Sequence, residues 1–414
     1  MTAVAAAASP KARETAFAGL SAPVVIYLVM DIYFDNGATT QPLREVAEAL
    51  GEMALSCYGN PSSKHGVGIQ ADLALDGARE DVSAILGCAK GEVAFTSGGT
   101  ESNNIALFGA LNRVRGKRPL AVATTVEHPS VLEPLKRYAA LGGPVRLCGV
   151  GKDGSVDLGE MEEILAGGDV GLISVMHVNN ETGAVQPIGE VRALRDRHAP
   201  RAVIHVDGVQ SFCKMRLLPA ELGVDLYSAS GHKVHGPKGA GLLYVRKGLD
   251  IAGPLYGGGQ ERGVRPGTQN VPAAAAFALA AKALYQRLDE YASKARAMTE
   301  RLREGIREGT GLAVFNPREP GACGLSGYIL NVGFPGVPGE ALLRHLDSEG
   351  VRVSTGSACS GGGKGGSHVL RAMGVPDTVA KSAIRISLSH MNGMDEVEAA
   401  LPIILRNVGR LARR

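Results

Sequence analysis

Between residues 90 and 246, short apolar or β-branched runs alternate with segments of helical periodicity, and this alternation constrains the fold more than any other feature. Strands that are separated by helices favour a parallel sheet with helices packed on its faces. The runs predicted as strands are 93–96, 120–125, 145–150, 171–177, 202–206, 225–229 and 241–245. The sequence therefore predicts an α/β fold with a mostly parallel seven-stranded sheet.

A second region follows a long helical stretch, which is predicted over residues 271–308. Strands near 328–332 and 383–388 are combined there with helices near 340–348, 367–373 and 395–408, so this region is predicted to be a smaller α+β domain. We expect a large domain over residues 45–286 and a small domain made of residues 30–44 plus 287–414. The small domain would carry the glycine-rich loop 354–366.

Composition narrows the classes of function. The chain has 414 residues, enough for a sizeable core, and a net charge of only +3, which gives no reason to expect binding to nucleic acid. Its six cysteines lie far apart without zinc-type spacing, so we expect no metal site, no disulfide framework and a cytoplasmic location. No apolar run is long enough to span a membrane.

The first 29 residues are alanine-rich and end in an apolar run before Met30. Two interpretations compete, a short targeting or anchoring segment and an upstream extension ahead of a start at Met30. The run is too short to span a bilayer and has no convincing cleavage site, which favours the extension. Residues 1–29 are therefore predicted to be disordered or not native.

Polar side chains follow the carboxyl ends of the predicted strands. Open parallel sheets bind their ligands at this edge. The glycine turn at Gly99 and Thr100 opens a helix and could bind a phosphate, although the same pattern is also typical of a simple helix cap. Later strands end near His128, Asp207 and Lys233. Each residue alone is more often structural, but together they provide a phosphate site, a flat ring, a carboxylate and an amine. This set suits a phosphorylated pyridine aldehyde, with the lysine binding the aldehyde.

Cys359 lies in a segment of small residues, STGSACSGGGKGGS, that has almost no side chains able to form a core. Lone cysteines are usually buried and structural, which is our interpretation of the other five. A thiol in such a loop, near Lys364, could instead ionise and act as a nucleophile. Cys359 is therefore the candidate catalytic cysteine.

From about Met30 to the C-terminus the chain resembles the pyridoxal-phosphate cysteine desulfurases of the class V aminotransferase family. Ten blocks carry the resemblance in order: YFDNGATT (33–40), GNPSSKH (59–65), TSGGTESNN (96–104), VEHPSV (126–131), MHVNNETG (176–183), HVDGVQS (205–211), SGHKVHGPKG (230–239), RPGTQN (265–270), STGSACS (354–360) and IRISLS (384–389). The resemblance implies the fold of type I pyridoxal-phosphate transferases.

The resemblance also implies a role for each matching residue. Lys233 would hold pyridoxal 5'-phosphate as a Schiff base, Asp207 would pair with the pyridine nitrogen, and His128 would stack on the ring and assist catalysis. The other implied cofactor contacts are Gly99, Thr100, Ser230 and His232 at the phosphate, and Gln210 and Asn180 near the 3′-oxygen. In the family's homodimer, Thr268 would cross the interface to the neighbouring subunit's phosphate. The substrate-binding residues would be Asn36, Asn180 and Arg385.

The implied reaction converts L-cysteine to L-alanine and leaves the sulfur on Cys359 as a persulfide. Sulfur acceptor or scaffold proteins would then receive it, for iron–sulfur cluster assembly or tRNA thiolation. Selenocysteine, or another amino acid with a β-leaving group, stays open as the substrate. A non-catalytic scaffold is disfavoured because it would need neither Lys233 nor Cys359. Two departures from the family's usual pattern are the glycine-rich stretch after Cys359 and Ser389 in the place of a frequent glycine.

A nucleotide-binding protein would be a different class of function. The sequence has a near match to a dinucleotide-binding fingerprint at Gly66, Gly68 and Ala71. No predicted strand precedes it, whereas that fingerprint requires one. Nucleotide binding is therefore not expected.

Overall fold

A computed structural model of the protein describes residues 31–113, 118–356 and 366–413. The extension at residues 1–29 and the candidate nucleophile Cys359 lie outside the described residues. Within the described ranges, no helix combines the length and apolar character needed to cross a membrane.

The strands belong to three sheets. They are β1 (Ile32–Tyr33), β2 (Val93–Thr96), β3 (Leu120–Thr124), β4 (Val145–Cys148), β5 (Val170–Met176), β6 (Val203–Asp207), β7 (Leu226–Ser230), β8 (Gly241–Val245), β9 (Val314–Phe315), β10 (Ile329–Gly333), β11 (Val351–Arg352) and β12 (Ala383–Ser387). The largest sheet has seven strands in the order β2-β8-β7-β6-β5-β3-β4. All seven strands predicted between residues 90 and 246 are present.

Only β8 runs opposite to its neighbours in this sheet, pairing antiparallel with both β2 and β7. The connection from β7 to β8 spans residues 231–240, which is too short for the crossover that a parallel pair needs. The other neighbouring pairs are parallel. The carboxyl ends of six strands therefore meet at one edge of the sheet, as expected from a mostly parallel arrangement.

Helices cover both faces of the large sheet. The helices are α1 (Arg44–Ser56), α2 (Gly66–Leu86), α3 (Gly99–Leu111), α4 (Pro129–Ala140), α5 (Leu158–Ala166), α6 (Ile188–His198), α7 (Val271–Tyr285), α8 (Leu288–Gly309), α9 (Gly339–Ser348), α10 (His368–Ala372), α11 (Asp377–Ala380) and α12 (Met394–Ala412). On β5, Ile173 packs in one core with Phe277 of α7, while its neighbour Leu172 packs in another core with Leu107 of α3. Neighbouring strand residues point to opposite faces, which explains the two cores.

The remaining strands form two small sheets, β12-β10-β9 and the parallel pair β1-β11. Helices α8, α9 and α12 pack in one core with them; this core contains Phe34, Leu302, Leu342, Ile384 and Ile404. Residues near the start of the described chain thus share a core with its last helix. The division into domains at residues 45 and 286 stays a prediction.

The structure differs from the sequence-based expectations in two places. The helical stretch predicted over 271–308 is two helices, α7 and α8, separated at Gln286 and Arg287. Helices α1 and α2 were not predicted, since the alternating pattern begins only at residue 90. The near match to a dinucleotide fingerprint at Gly66 lies in the first turns of α2, and the element directly before it is helix α1 rather than a strand.

Candidate active site

A cavity of about 520 Å³ opens at the edge where the carboxyl ends of the parallel strands meet. It brings together most of the residues that the sequence singled out. The predicted site residues that line it are Gly99, Thr100, His128, Asn180, Asp207, Gln210, Ser230, His232, Lys233 and Arg385. Residues from six separate stretches of sequence therefore line the same cavity.

Lys233 ends a short 3-10 turn that directly follows β7. Its half-buried side chain donates hydrogen bonds from Nζ to the carbonyl oxygens of Gly37, at 2.6 Å, and Ala38, at 2.7 Å. These acceptors lie in the loop after β1, far away in sequence. The contacts hold the amine at the wall of the cavity, where an aldehyde could reach it.

Asp207 is the last residue of β6 and is buried. Its Oδ1 accepts from the backbone N–H of Val209 at 3.0 Å, and its Oδ2 accepts from Nδ2 of Asn103 at 2.8 Å. These two hydrogen bonds fix the orientation of the carboxyl group. The site thus contains a fixed carboxylate able to pair with a protonated ring nitrogen.

His128 caps the N-terminus of α4. Its Nδ1 accepts from the backbone N–H of Ser130 at 3.1 Å and lies 2.8 Å from Ser130 Oγ, which in turn accepts from Asn103 Nδ2 at 2.8 Å. Because Nδ1 accepts a backbone N–H, the proton of the neutral ring is on Nε2. Burial lowers the pKa of His128, and the nearby Lys233 acts in the same direction while Asp207 opposes it. The ring is therefore a flat, uncharged surface at neutral pH.

The start of α3, where the sequence predicts a phosphate site, borders the cavity with small residues and lies near a buried hydroxyl group. A Cβ at Gly99 would lie 2.6 Å from Val209 Cγ2, so only glycine fits there. Ser230 Oγ is buried and has no hydrogen-bond partner in the part of the chain that the structure describes. The backbone N–H groups at the start of the helix and the Thr100 hydroxyl face the same cavity. An unsatisfied buried hydroxyl beside a helix N-terminus fits a phosphate group.

His232 completes this side of the cavity. Its Nδ1 lies 3.2 Å from the hydroxyl of Thr39. Burial lowers the pKa of His232 to about 4, with further contributions from Lys233, Lys238 and Lys214. The neutral imidazole retains one N–H that can be donated to an anion.

Arg385 reaches the cavity from β12 of the three-stranded sheet and is almost fully buried. Its Nη1 donates to the carbonyl oxygen of Asn180 at 2.9 Å, and its Nη2 donates to Asp35 Oδ1 at 2.7 Å. Its Nε has no partner within the described ranges. The guanidinium is thus fixed in orientation with an N–H still available, as a site for a substrate carboxylate requires.

Two predicted site residues lie outside the cavity. Asn36 is buried beside it, but its Nδ2 donates to the carbonyl oxygens of Tyr33 and Ser387 and to Asn392 Oδ1, all at 3.1 Å. Thr268 lines a separate, smaller cavity together with Ser97 and Gly239, which also border the main one. The structure thus places Asn36 in a hydrogen-bond network between β1 and β12.

The described residues on either side of the Cys359 segment both contact Glu181, the neighbour of Asn180. Ser367 donates a hydrogen bond to Glu181 Oε2 at 2.5 Å, and a Cβ at Gly356 would lie 2.2 Å from the same oxygen. Burial raises the pKa of Glu181 to about 7, which Ser367 and Arg385 oppose. The described residues on both sides of this segment therefore lie near Asn180, which lines the cavity.

Comparison with known proteins identifies the group to which this site belongs. The model of the class V aminotransferases matches residues 32–400. The chain belongs to the class V aminotransferase family.

Individual class V relatives match over most of their length. Cysteine desulfurase 2 of Trichormus variabilis is 40% identical over 381 residues, which is 92% of this chain and 94% of the relative. Cysteine desulfurase IscS of Dictyoglomus turgidum is 36% identical over 382 residues, covering 92% and 95%. A solved NifS-like protein matches with a TM-score of 0.85 and 37% identity over 92% of this chain and 100% of its own. SspA in complex with cysteine matches with a TM-score of 0.76 and 31% identity, covering 87% and 100%.

These matches confirm the predicted family and the predicted fold of type I pyridoxal-phosphate transferases. The class V aminotransferase family depends on pyridoxal phosphate. The α/β architecture with a mostly parallel seven-stranded sheet is confirmed as well.

Sequence reasoning assigned no role to four buried polar residues near this class V aminotransferase site: Asn103, Glu127, Glu181 and Lys214. Asn103 and Lys214 each lie four residues after a predicted site residue, a spacing that places side chains on one side of a helix or turn. The role of Glu127 was not recognised because only the adjacent His128 was considered. Burial raises the pKa of Glu127 to about 8, although Thr124 Oγ1 and the N–H of Met176 donate to its Oε1 at 2.6 and 2.9 Å.

Proposed function

We propose that the protein is a pyridoxal-phosphate-dependent cysteine desulfurase that converts L-cysteine to L-alanine and transfers the sulfur to Cys359. The observation that carries the proposal is the cavity in which Lys233 shares one space with the fixed carboxylate of Asp207 and the unsatisfied hydroxyl of Ser230. The predicted activity is that of the curated relatives, which match 92% of the chain.

The residues of the cavity fit pyridoxal 5'-phosphate. When bound, this group supplies an aldehyde that combines with amines and a ring that accepts electrons from the substrate's α-carbon. Lys233 would bind the aldehyde, Asp207 the ring nitrogen and His128 the ring face. The phosphate would contact Gly99, Thr100, Ser230 and His232, and the 3′-oxygen side would contact Gln210 and Asn180.

The remaining polar groups would bind and process L-cysteine. Arg385 would hold the substrate carboxylate, with Asn180 and Asn36 in support. Lys233 Nζ would take the proton from the α-carbon of the substrate. Lys233 Nζ donates hydrogen bonds to the carbonyl oxygens of Gly37 and Ala38, which would hold the amine in position for this role.

Cys359 would receive the sulfur. Its thiolate forms a bond to the substrate sulfur, and the bond between that sulfur and Cβ breaks. Protons returned to the carbon skeleton then yield L-alanine, so that one enzyme thiol and one cysteine become one persulfide and one alanine. A thiolate is required because it is the nucleophilic form of cysteine.

The proposal is tested by incubating the purified, cofactor-loaded protein with L-cysteine and a thiol reductant. We expect sulfide and alanine to form in equal amounts, since each turnover releases one of each. A parallel reaction with L-selenocysteine tests the alternative that selenocysteine is the substrate. Pyruvate in place of alanine, or turnover of selenocysteine alone, would contradict the proposed reaction.

We also propose that the protein is a homodimer in which Thr268 contacts the neighbouring subunit's phosphate. Large apolar side chains are exposed at Leu55 (83%), Tyr58 (74%), Leu73 (68%) and Tyr256 (94%), as is typical of surfaces that a second subunit covers. Thr268 does not line its own subunit's main cavity. Sedimentation equilibrium is expected to give twice the chain mass, and a monomer that binds pyridoxal phosphate at full affinity would overturn this proposal.

A cytoplasmic location and a protein sulfur acceptor complete the proposal. The five cysteines in the described ranges are all free thiols, as suits a reducing compartment. A persulfide must pass its sulfur to another thiol or cluster scaffold for the cycle to continue. Recovery of the protein from a secreted fraction would contradict the proposed location.

A further inference from the structure

Lys214 is a buried lysine for which the reaction proposed above has no use. It lies four residues after Gln210, its side chain is 7% exposed, and it does not line the cavity. Lysine is rarely buried without a specific partner, because removing an ammonium group from water costs free energy. The burial of Lys214 therefore requires a physical explanation.

A short chain of hydrogen bonds connects Lys214 to the cavity. Its Nζ donates to Gln210 Oε1 at 3.3 Å, and Gln210 Nε2 donates to the carbonyl oxygen of Gly37 at 2.9 Å. The same oxygen accepts from Lys233 Nζ at 2.6 Å. Lys214 and Lys233 are thus linked through one carboxamide and one carbonyl group.

The chemistry of these groups fixes the orientation of Gln210. An ammonium group only donates, so the oxygen of the carboxamide must face Lys214. A carbonyl oxygen only accepts, so the nitrogen must face Gly37. The two ends of a carboxamide have nearly the same shape, so the orientation depends on these two contacts, and without Lys214 only the Gly37 carbonyl group would oppose a rotation of the amide.

The surroundings of Lys214 hold its side chain in this position. Cys213, immediately before it, has a φ of 54°, in the left-handed region that side chains rarely adopt. Such a conformation persists only where the surrounding structure imposes it. The Tyr328 ring lies with its centroid 5.8 Å from Nζ, close enough for a cation–π contact.

Lys214 also lies among other charged and titratable groups. Burial, together with the nearby charges of Lys233 and Arg385, lowers the pKa of Lys214 to about 7, and Cys213 opposes this shift. In turn, the positive charge of Lys214 lowers the pKa values of His232 and His235. The ammonium form therefore adds a positive potential to the side of the cavity that holds Lys233.

We propose that Lys214 is a positioning residue, which fixes the Gln210 carboxamide so that its Nε2 faces Gly37 and the cavity. This inference rests on the proposed function, in which Gln210 contacts the cofactor near its 3′-oxygen. With the amide fixed, Gln210 offers its remaining N–H and no acceptor to that oxygen. An N–H donated there favours the negative oxygen and so lowers the pKa of the Lys233 nitrogen in the loaded protein.

The test measures that pKa without substrate, as the change in visible absorbance of the loaded protein with pH. Lys214→Met, which has no donor, is expected to raise it by about one unit, a tenfold change in the equilibrium. Lys214→Arg, which keeps a donor, is expected to restore most of the difference. Lys136→Met changes an exposed lysine of α4 and should leave the pKa unchanged. Unchanged absorbance profiles for Lys214→Met would overturn the inference.

A double-mutant cycle separates positioning from the bare charge of Lys214. If Lys214 acts through Gln210, adding Lys214→Met to a Gln210→Leu variant should cause no further shift. An equal shift in both backgrounds would show that the charge acts directly, and positioning would be wrong. A wild-type protein that gains no visible absorbance with pyridoxal phosphate would instead contradict the proposed function. Lys214→Arg keeps the inference testable if Lys214→Met fails to fold, since a full-sized shift in the arginine variant would also overturn it.

Discussion

Replacement of Cys359 by serine is expected to abolish the release of sulfide from L-cysteine while the protein keeps its visible absorbance. A serine hydroxyl ionises far less readily than a thiol, so it cannot attack the substrate sulfur at neutral pH. Loss of a catalytic nucleophile typically lowers turnover by roughly 10³- to 10⁶-fold. The proposed cofactor-binding roles of Lys233 and Asp207 do not require a thiol at position 359, so the loaded protein should form normally. Sulfide assays on the loaded variant measure the loss.

The described cysteines provide a matched control. Cys323 is the one exposed thiol among the described ranges, and Cys323→Ser should keep wild-type activity. Burial raises the pKa of Cys88 and of Cys148 to about 12, which makes both of them poor nucleophiles. Full activity of Cys359→Ser, or loss of activity in Cys323→Ser, would show that the wrong cysteine has been assigned.

Lys233→Ala is expected to remove both the covalent hold on the cofactor and the base that takes the α-proton. We expect turnover to fall by roughly 10³-fold or more, since two roles of one residue are lost together. Pyridoxal phosphate should still bind, because Asp207, His128 and Ser230 keep their positions. Borohydride reduction followed by peptide mass spectrometry checks the result: the wild type should carry the cofactor on Lys233 and the variant on no residue.

The exposed lysine of α4 serves as the control for this experiment. Lys136→Ala should bind and fix the cofactor as the wild type does. Cofactor fixed to a lysine other than Lys233 in the wild-type protein would contradict the assignment, and it would also remove the basis for the inference about Lys214.

The strands and their polar ends could be predicted from sequence because both signals are local. Buried parallel strands consist of short apolar runs, and His128, Asp207 and Lys233 follow such runs within a few residues. The direction of β8 was not apparent from its composition, since it depends on the short connection from β7. The break between α7 and α8 was also missed, because both segments have helical periodicity.

Residues that act through distant partners could not be identified in this way. Arg385 was found only through the resemblance, and its ion pair with Asp35 joins residues 350 positions apart. Asn103 lies close in sequence to a recognised motif, yet its contact with Asp207, 104 positions away, becomes visible only once the chain has folded. The expectation that Asn36 contacts substrate stays a prediction, because its amide nitrogen serves the network between β1 and β12.

The most direct measurement of the central claim is the mass of the peptide that contains Cys359 after a single turnover. The loaded protein is mixed with an equimolar amount of L-cysteine without reductant, digested after thiol blocking and analysed by mass spectrometry. We predict that the Cys359 peptide gains the mass of one sulfur atom, and that the Lys233→Ala variant shows no gain. An added sulfur on a different cysteine, or alanine formed with no sulfur on Cys359, would contradict the claim that this residue receives the sulfur.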